Sequence, residues 1–435
     1  MGKMSDKTPS IIDRIRENRD YQFYILYTVL YLFIILLTDI VNDIVGNNYG
    51  WNDVHQYWLH AENMFNGMMP YEDDPSAYPP LAFFLDLIPY IITPTEPGYN
   101  YSFAIMTYLF SLLAIHGLLK FCDSRGISHS YVYFTFALLI IGVNNFFIAR
   151  NDTITTVFVV LSILFYLDRK YVPAFVLLAL GIMTKIYPIF LLPILLIPFL
   201  ARKDLKSFFK YGALTALVCF VIELPVLIND PSTAFSYLTQ HSGRGVEIES
   251  VVAIPLMIVS LIDDSLVYVG MDENESWDLF GTLADSVEPY IMPITFLIIG
   301  AFIVYFLYKM YKNEDDSERS MPLMLLACGI VLMIFMTFNK VFCAQYVMWI
   351  VMMYPFLVYS FKSLGADPKR LRIYLILLCA ASLLTVLFMG DVVEGESKRI
   401  TVQYILADTL KGAIAIILTC HLLKTLIRSL KPAQD

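Results

Sequence analysis

A polytopic all-α membrane protein of about twelve transmembrane helices is the fold class this chain predicts. Three observations carry that reading. Hydrophobic residues make up 58% of the 435 positions and charged residues only 16%, a balance that excludes an ordinary soluble domain. Apolar runs matching a bilayer core of about 30 Å recur along the whole chain, and in lipid only helices or closed barrels satisfy their own backbones. Lys and Arg collect in short clusters between the runs, as cytoplasmic loops do.

The runs place spans near 22–42, 100–119, 130–149, 152–167, 172–186, 187–201, 210–228, 289–311, 321–338, 341–361, 371–390 and 401–423. Basic clusters fall at Arg14/Arg16/Arg19, Lys120/Arg125, Arg169/Lys170, Arg202/Lys203/Lys206/Lys210, Lys309/Lys312/Arg319, Lys362/Lys369/Arg370/Arg372 and Lys424/Arg428/Lys431. Putting every cluster inside places both termini in the cytoplasm, which requires an even number of spans. Two shorter apolar stretches, 81–92 and 251–261, then begin and end outside and read as re-entrant or surface-lying helices. The charged start followed by the apolar run from Tyr21 reads as a signal anchor.

The chain is expected to be one transmembrane domain over 1–435, with its longer connections outside: a first outer loop at 43–80, and outer loops at 229–289 around a short apolar helix. The net charge of −9 gathers in these outer segments, which argues against a nucleic-acid partner. No Walker loop or Rossmann glycine fingerprint is present. Of six cysteines, Cys219, Cys328, Cys379 and Cys420 lie in apolar spans, so neither a disulfide framework nor a zinc site is implied. No cofactor and no metal is expected.

Chemistry is concentrated in the first outer loop, which holds six carboxylates between Asp43 and Asp74 and no Lys or Arg. Val54, Tyr57, Trp58, Ala61 and Phe65 fall at helical spacing, and Gly67 with Pro70 ends the run. Asn52 or Asp53 would cap this surface helix. Asp53 therefore reads in two ways, as an N-cap and as a general base facing a cavity. Glu72, Asp73 and Asp74 read as a solvated turn, because three consecutive residues cannot all point at one cation.

Single cations at outer span ends oppose the orientation bias: Arg150, Lys185, Arg244 and Lys340. Near membrane depth an ionised side chain costs on the order of 3 kcal/mol unless paired. Snorkelling or pairing with Asp152 is the simpler account of each taken alone. Four together suggest a shared anion, and a lipid-linked phosphate is the one a membrane cavity meets. His241 beside Arg244 is a candidate phosphate contact, while Gln345-Tyr346 with Trp349 reads as an interfacial anchor or a sugar-pocket wall. Asn274 matches a glycan-acceptor pattern.

The order of these motifs resembles the GT-C class of polyprenyl-phosphate-sugar-dependent glycosyltransferases, most closely glycosyltransferase family 87 and the related glycosylphosphatidylinositol mannosyltransferase I family. The resemblance runs from Asp53 to about Pro355. It rests on Asp53…Gly67…Pro70-Tyr71, Tyr78-x-Pro80-Leu81, Ala149-Arg150-Asn151-Asp152, Lys185-Ile186-Tyr187-Pro188 and Phe338-Asn339-Lys340-Val341…Gln345-Tyr346…Trp349. The eukaryotic family carries two aspartates one residue apart in the first outer loop, whereas here the earlier position is Trp51.

The resemblance implies an inverting transfer of a hexose, mannose first, from a polyprenyl or dolichyl phosphate to a lipid-linked or cell-surface glycan acceptor at the extracytoplasmic side of the cell membrane. Asp53 would be catalytic. Arg150, Asn151, Asp152, Lys185, Tyr187, His241, Arg244, Lys340, Gln345 and Tyr346 would bind substrate, with membrane lipids around them. Two rivals remain on sequence alone. A transporter or lipid-linked sugar flippase should show repeat symmetry and charges near the midplane, and a non-catalytic scaffold would need none of these charges.

Overall fold

The computed structural model describes residues 18–45, 50–72, 76–271, 276–312, 317–389 and 400–430. The expected acids Asp73 and Asp74, the sequon at Asn274 and the basic residues Arg14, Arg16 and Lys431 lie outside the described residues.

Helix α1 (Arg19–Val45) is an apolar rod with much of its surface turned outward. Its inner stripe docks on α4 (Glu96–Arg125), where the Tyr31 hydroxyl donates to the Ala104 carbonyl at 3.0 Å and bonds Thr107 at 2.7 Å. Between them come α2 (Asn52–Phe65) and α3 (Pro80–Ile92), which pack against each other. Pro80 opens α3 at the first helical position, where its missing N–H removes no helix bond. The loop into α2 is hooked onto α1. Gly50 N donates to Asn42 Oδ1 at 3.0 Å, and the buried Trp51 donates to Asp39 Oδ1 at 2.9 Å. Trp51 is thus an anchor for the loop.

The next four helices are shorter. They are α5 (Ser130–Leu138), α6 (Asn151–Leu167), α7 (Tyr171–Thr184) and α8 (Leu191–Ala201), followed by the long α9 (Leu205–Asn229). Helix α5 passes into a π turn and stops at Asn144, whose φ of 58° a helix cannot accept. Helix α7 stops at Lys185, in extended backbone at φ −154° and ψ 134°, with Pro188 three residues on. Helix α6 is buried on nearly every side, between α4, α7 and α14 (Val347–Met352).

The segment after α9 differs from the expected loop with one short helix. It contains α10 (Ser236–Gly243), β1 (Val246–Glu247), α11 (Ala253–Ser260), β2 (Tyr268–Met271) and β3 (Trp277–Phe280). The strands make an antiparallel sheet in the order β1-β3-β2 over a small core of its own. Helix α11 is the short apolar helix expected near 251–261.

The chain then runs through α12 (Thr282–Lys312), α13 (Ser317–Phe338), α14, α15 (Tyr354–Ser363), α16 (Lys369–Phe388) and α17 (Val402–Ser429). Seven helices among the described residues are long and apolar enough to cross a membrane: α1, α4, α9, α12, α13, α16 and α17. The segment 344–363 makes an eighth if the pair bent by 44° at Met353 is one span. The protein is a multi-pass helical membrane protein. The difference from twelve lies in α5 to α8, whose apolar runs are interrupted at Asn144 and Lys185.

Candidate active site

The breaks in the helices place the polar residues. Arg150 immediately precedes α6 with φ −136°, and Asn151 and Asp152 fill its first turn. Lys185 follows α7, which packs along α6. The two interruptions therefore bring 150–152 and 185 to one end of a buried helix pair. Across from them, the start of α2 carries Asp53.

Asp53 does not cap α2. The residue before the helix is Trp51, with no side-chain cap, and Asp53 sits in the first turn. The expectation of a cap from Asn52 or Asp53 is thus corrected. The Asp53 carboxylate instead pairs with the Arg150 guanidinium, the side chains being 32% and 15% exposed. The Asp53 carboxylate makes no cap bond and is one-third exposed, so it is open to an incoming group.

Beneath this pair lies a second one. Lys185 Nζ is 2.7 Å from Asp152 Oδ2, and Trp349 Nε1 donates to Asp152 Oδ1 at 2.9 Å. The Lys185 ammonium is 5.0 Å from the Tyr346 ring centre, 5.6 Å from that of Tyr78 and 5.8 Å from that of Trp349. Such faces attract a cation by their quadrupole. Tyr187 stacks on Trp349 at 3.8 Å and Tyr346 does so at 4.1 Å, and the Tyr187 hydroxyl bonds Thr156 at 3.0 Å. All three rings are buried, so their faces are spent on one another and on Lys185. Asn151 donates to the buried Asp86 at 3.3 Å, and Gln345 lies half-buried in the turn before α14.

A third group surrounds the three-stranded sheet. Gly245 N donates to the buried Asp278 at 2.9 Å, and a side chain at Gly245 would collide with that carboxylate. This close approach fixes Arg244, whose guanidinium reaches Glu247 at 3.8 Å. Lys340 donates to the Arg244 carbonyl and to Glu288. Further in, Lys411 of α17 is 2.8 Å from Asp408 and 3.7 Å from Glu249. This group touches the first two electrostatically, since Arg150 interacts with Glu249 as well as Asp152, and Tyr346 with Glu247, Arg244 and Asp152. The side chain of His241, in α10, lies outside the described residues.

Of the sequence candidates, Asp53 and Arg150 meet directly, as do Lys185 and Asp152. Arg244 and Lys340 meet each other beside them, but each already faces a carboxylate. Glu247, Glu249, Glu288, Asp86 and the Asp408/Lys411 pair were not among the candidates. The last had a signal, because two opposite charges three residues apart inside an apolar run demand partners.

Glu247, Glu249 and Cys343 are the described residues whose ligand atoms gather as a metal site would, all within 4.8 Å. Two of the three already have partners, whereas Glu249 Oε1 is buried without a hydrogen bond among the described residues. Glu247 accepts from Phe342 N at 3.1 Å and from the Cys343 thiol at 3.0 Å, while Arg244 and Lys411 supply positive charge. Glu72, the described acid of the expected turn, accepts from Asn229 at 2.6 Å and from Met69 N at 2.8 Å. On a metal-free mechanism, activity should survive EDTA. Loss on chelation and recovery with magnesium or manganese would identify the Glu247 cluster, or Asp53, as a metal ligand.

Burial raises the Glu249 pKa from 4.5 to about 7, Lys411 opposing it. Between these values the folded protein holds a proton that the unfolded chain has released, so stability falls as pH rises. Glu249→Gln removes that slope. The expected result is a wild-type melting temperature that drops relative to the variant from pH 5 to pH 7.5; parallel curves would refute the assignment.

The family model of glycosyltransferase family 87 matches residues 77–337. The chain belongs to glycosyltransferase family 87. Within the stretch shared with family 87 lie Arg150, Asn151, Asp152, Lys185, Tyr187, His241 and Arg244; Asp53 precedes it and Lys340 follows it. Among solved structures, the chain is similar to the crystal structure of ArnT from Cupriavidus metallidurans bound to undecaprenyl phosphate. The TM-score is 0.46 at 14% identity, over 92% of this chain and 78% of that one. No curated protein matches the chain.

Proposed function

We propose that this family 87 glycosyltransferase moves a hexose, mannose first, from a polyprenyl or dolichyl phosphate to a lipid-linked or cell-surface glycan acceptor on the extracytoplasmic side. Asp53 is the general base that takes the proton of the acceptor hydroxyl. The observation that carries the reading is the Asp53–Arg150 pair, a half-exposed carboxylate beside a cation at the edge of a buried charged cluster. Phosphate is a competent leaving group, so activating the acceptor is the harder step. A positioned base contributes about 10²–10⁴-fold. Arg150, with Lys185 behind it, stabilises the charge that develops on the departing phosphate. Attack from the side opposite the phosphate inverts the anomeric centre. The two-carboxylate arrangement of glycoside hydrolysis is not required, because no water is activated.

Asp152 and the rings of Tyr187, Tyr346 and Trp349 hold Lys185 rather than touch the sugar. Incubation with labelled polyprenyl-phosphate mannose, glucose or arabinose and a native lipid extract tests the donor. Mannose is expected to transfer fastest. Transfer of another sugar alone would revise the specificity, and transfer from a nucleotide sugar instead would sink the polyprenyl-phosphate reading.

A further inference from the structure

Arg150 is half-used. Its guanidinium pairs with Asp53, yet its Nε is buried with no hydrogen-bond partner among the described residues. The Phe146 ring lies 5.3 Å from the guanidinium carbon. Of the nearby inner carboxylates, Asp152 is held by Lys185 at 2.7 Å, and Glu249 lies 3.7 Å from Lys411. What remains is a guanidinium with one donor, Nε, that no described residue engages. A phosphate takes two guanidinium donors at once and carries at least the charge of the carboxylate it would displace.

We propose that the Asp53–Arg150 pair is a latch operated by the donor: the donor phosphate draws Arg150 off Asp53, and the base becomes free only when a donor is bound. This rests on Asp53 being the base. With no donor, the Asp53 carboxylate is neutralised by its partner and is a weak proton acceptor. As the glycosidic bond breaks, the phosphate gains charge and its hold on Arg150 strengthens. When the polyprenyl phosphate leaves, Arg150 returns to Asp53, and that return assists product release.

The latch makes a prediction opposite in sign to a purely structural pair. Asp53 competes with phosphate for Arg150, so removing its charge should tighten phosphate binding. Undecaprenyl phosphate binding is measured on the purified full chain as wild type, Asp53→Asn, Arg150→Ala and the double variant, with thermal unfolding as the folding control. Asp53→Asn is expected to bind roughly tenfold tighter, the worth of one charge-assisted contact, and the gain should vanish in the Arg150→Ala background. Arg150→Lys, which keeps the charge without the fork, should retain part of the gain and serves if Arg150→Ala does not fold. Unchanged or weaker binding by Asp53→Asn, or a gain that persists without Arg150, overturns the latch. Transfer by the same Asp53→Asn preparation separates the two ideas. Lost transfer with unchanged binding removes the latch and leaves the base, whereas near-normal transfer removes the base itself.

Discussion

Asp53→Asn is expected to lower glycosyl transfer by about 10²–10⁴-fold while the protein remains folded. The size follows from the role, since an amide keeps the shape of the side chain but cannot take a proton. The intact fold follows from the geometry. Asp53 makes no cap bond to α2, and its charged contact is at a half-exposed surface rather than in the core. With the Arg150 side chain 15% exposed and that of Asp53 32%, losing the pair should cost more than the ~1 kcal/mol of an exposed pair and less than the about 3–5 kcal/mol of a buried one. Initial rates at saturating donor, with melting curves for both proteins, check the two halves separately. Activity within a few-fold of wild type would leave Asp53 as a partner of Arg150 only.

The largest loss of stability should come from breaking the Lys185–Asp152 pair. Asp152 has no exposed surface, and both its oxygens are engaged, one by Lys185 and one by Trp349. Lys185→Met leaves a buried carboxylate with one neutral donor, which costs about 3–5 kcal/mol. Asp152→Asn leaves the buried ammonium with a neutral amide oxygen that Trp349 also seeks and with ring faces, and should cost a similar amount. Combining the two removes both charges and should recover much of the loss, because a buried pair replaced by neutral groups is often close to neutral in stability. The double variant should nevertheless remain poor in transfer if the Lys185 charge serves the phosphate. Denaturation of all three variants in one detergent checks the cycle. Additive losses would mean that the two residues do not act as a pair.

Much of this architecture was legible because apolar length is a direct record of membrane crossing. Seven of the expected spans are long helices, whereas α5 to α8 fall short and the span expected at 341–361 is bent by 44° between two short helices. The ends of α5 and α7 are set by Asn144 in positive φ and by extended Lys185, backbone states that hydropathy does not register. The small sheet was missed because Val246–Glu247 pairs with β3 about thirty residues away. Strands of 2 and 4 residues leave too little alternation to read.

The site divides in the same way. Arg150 and Lys185 stood out because they violate the charge bias, and pairing of Lys185 with Asp152 had been the simpler account of that cation. The partner of Arg150 was not legible, since 97 residues separate it from Asp53 and only the fold joins α2 to the start of α6. The cap reading of Asp53 failed for a local reason. Trp51 is drawn onto Asp39, which starts the helix one residue earlier than the polar pair Asn52-Asp53 suggests.

The most direct test reconstitutes the purified protein into sealed vesicles with a doubly labelled polyprenyl-phosphate mannose, one label on the sugar and one on the lipid, together with an acceptor lipid extract. The account predicts that the labels separate: sugar moves to the acceptor, polyprenyl phosphate is released, and both events disappear in Asp53→Asn. Labels that stay on one molecule while it changes leaflet would identify a flippase and contradict the assignment of Asp53 as a base.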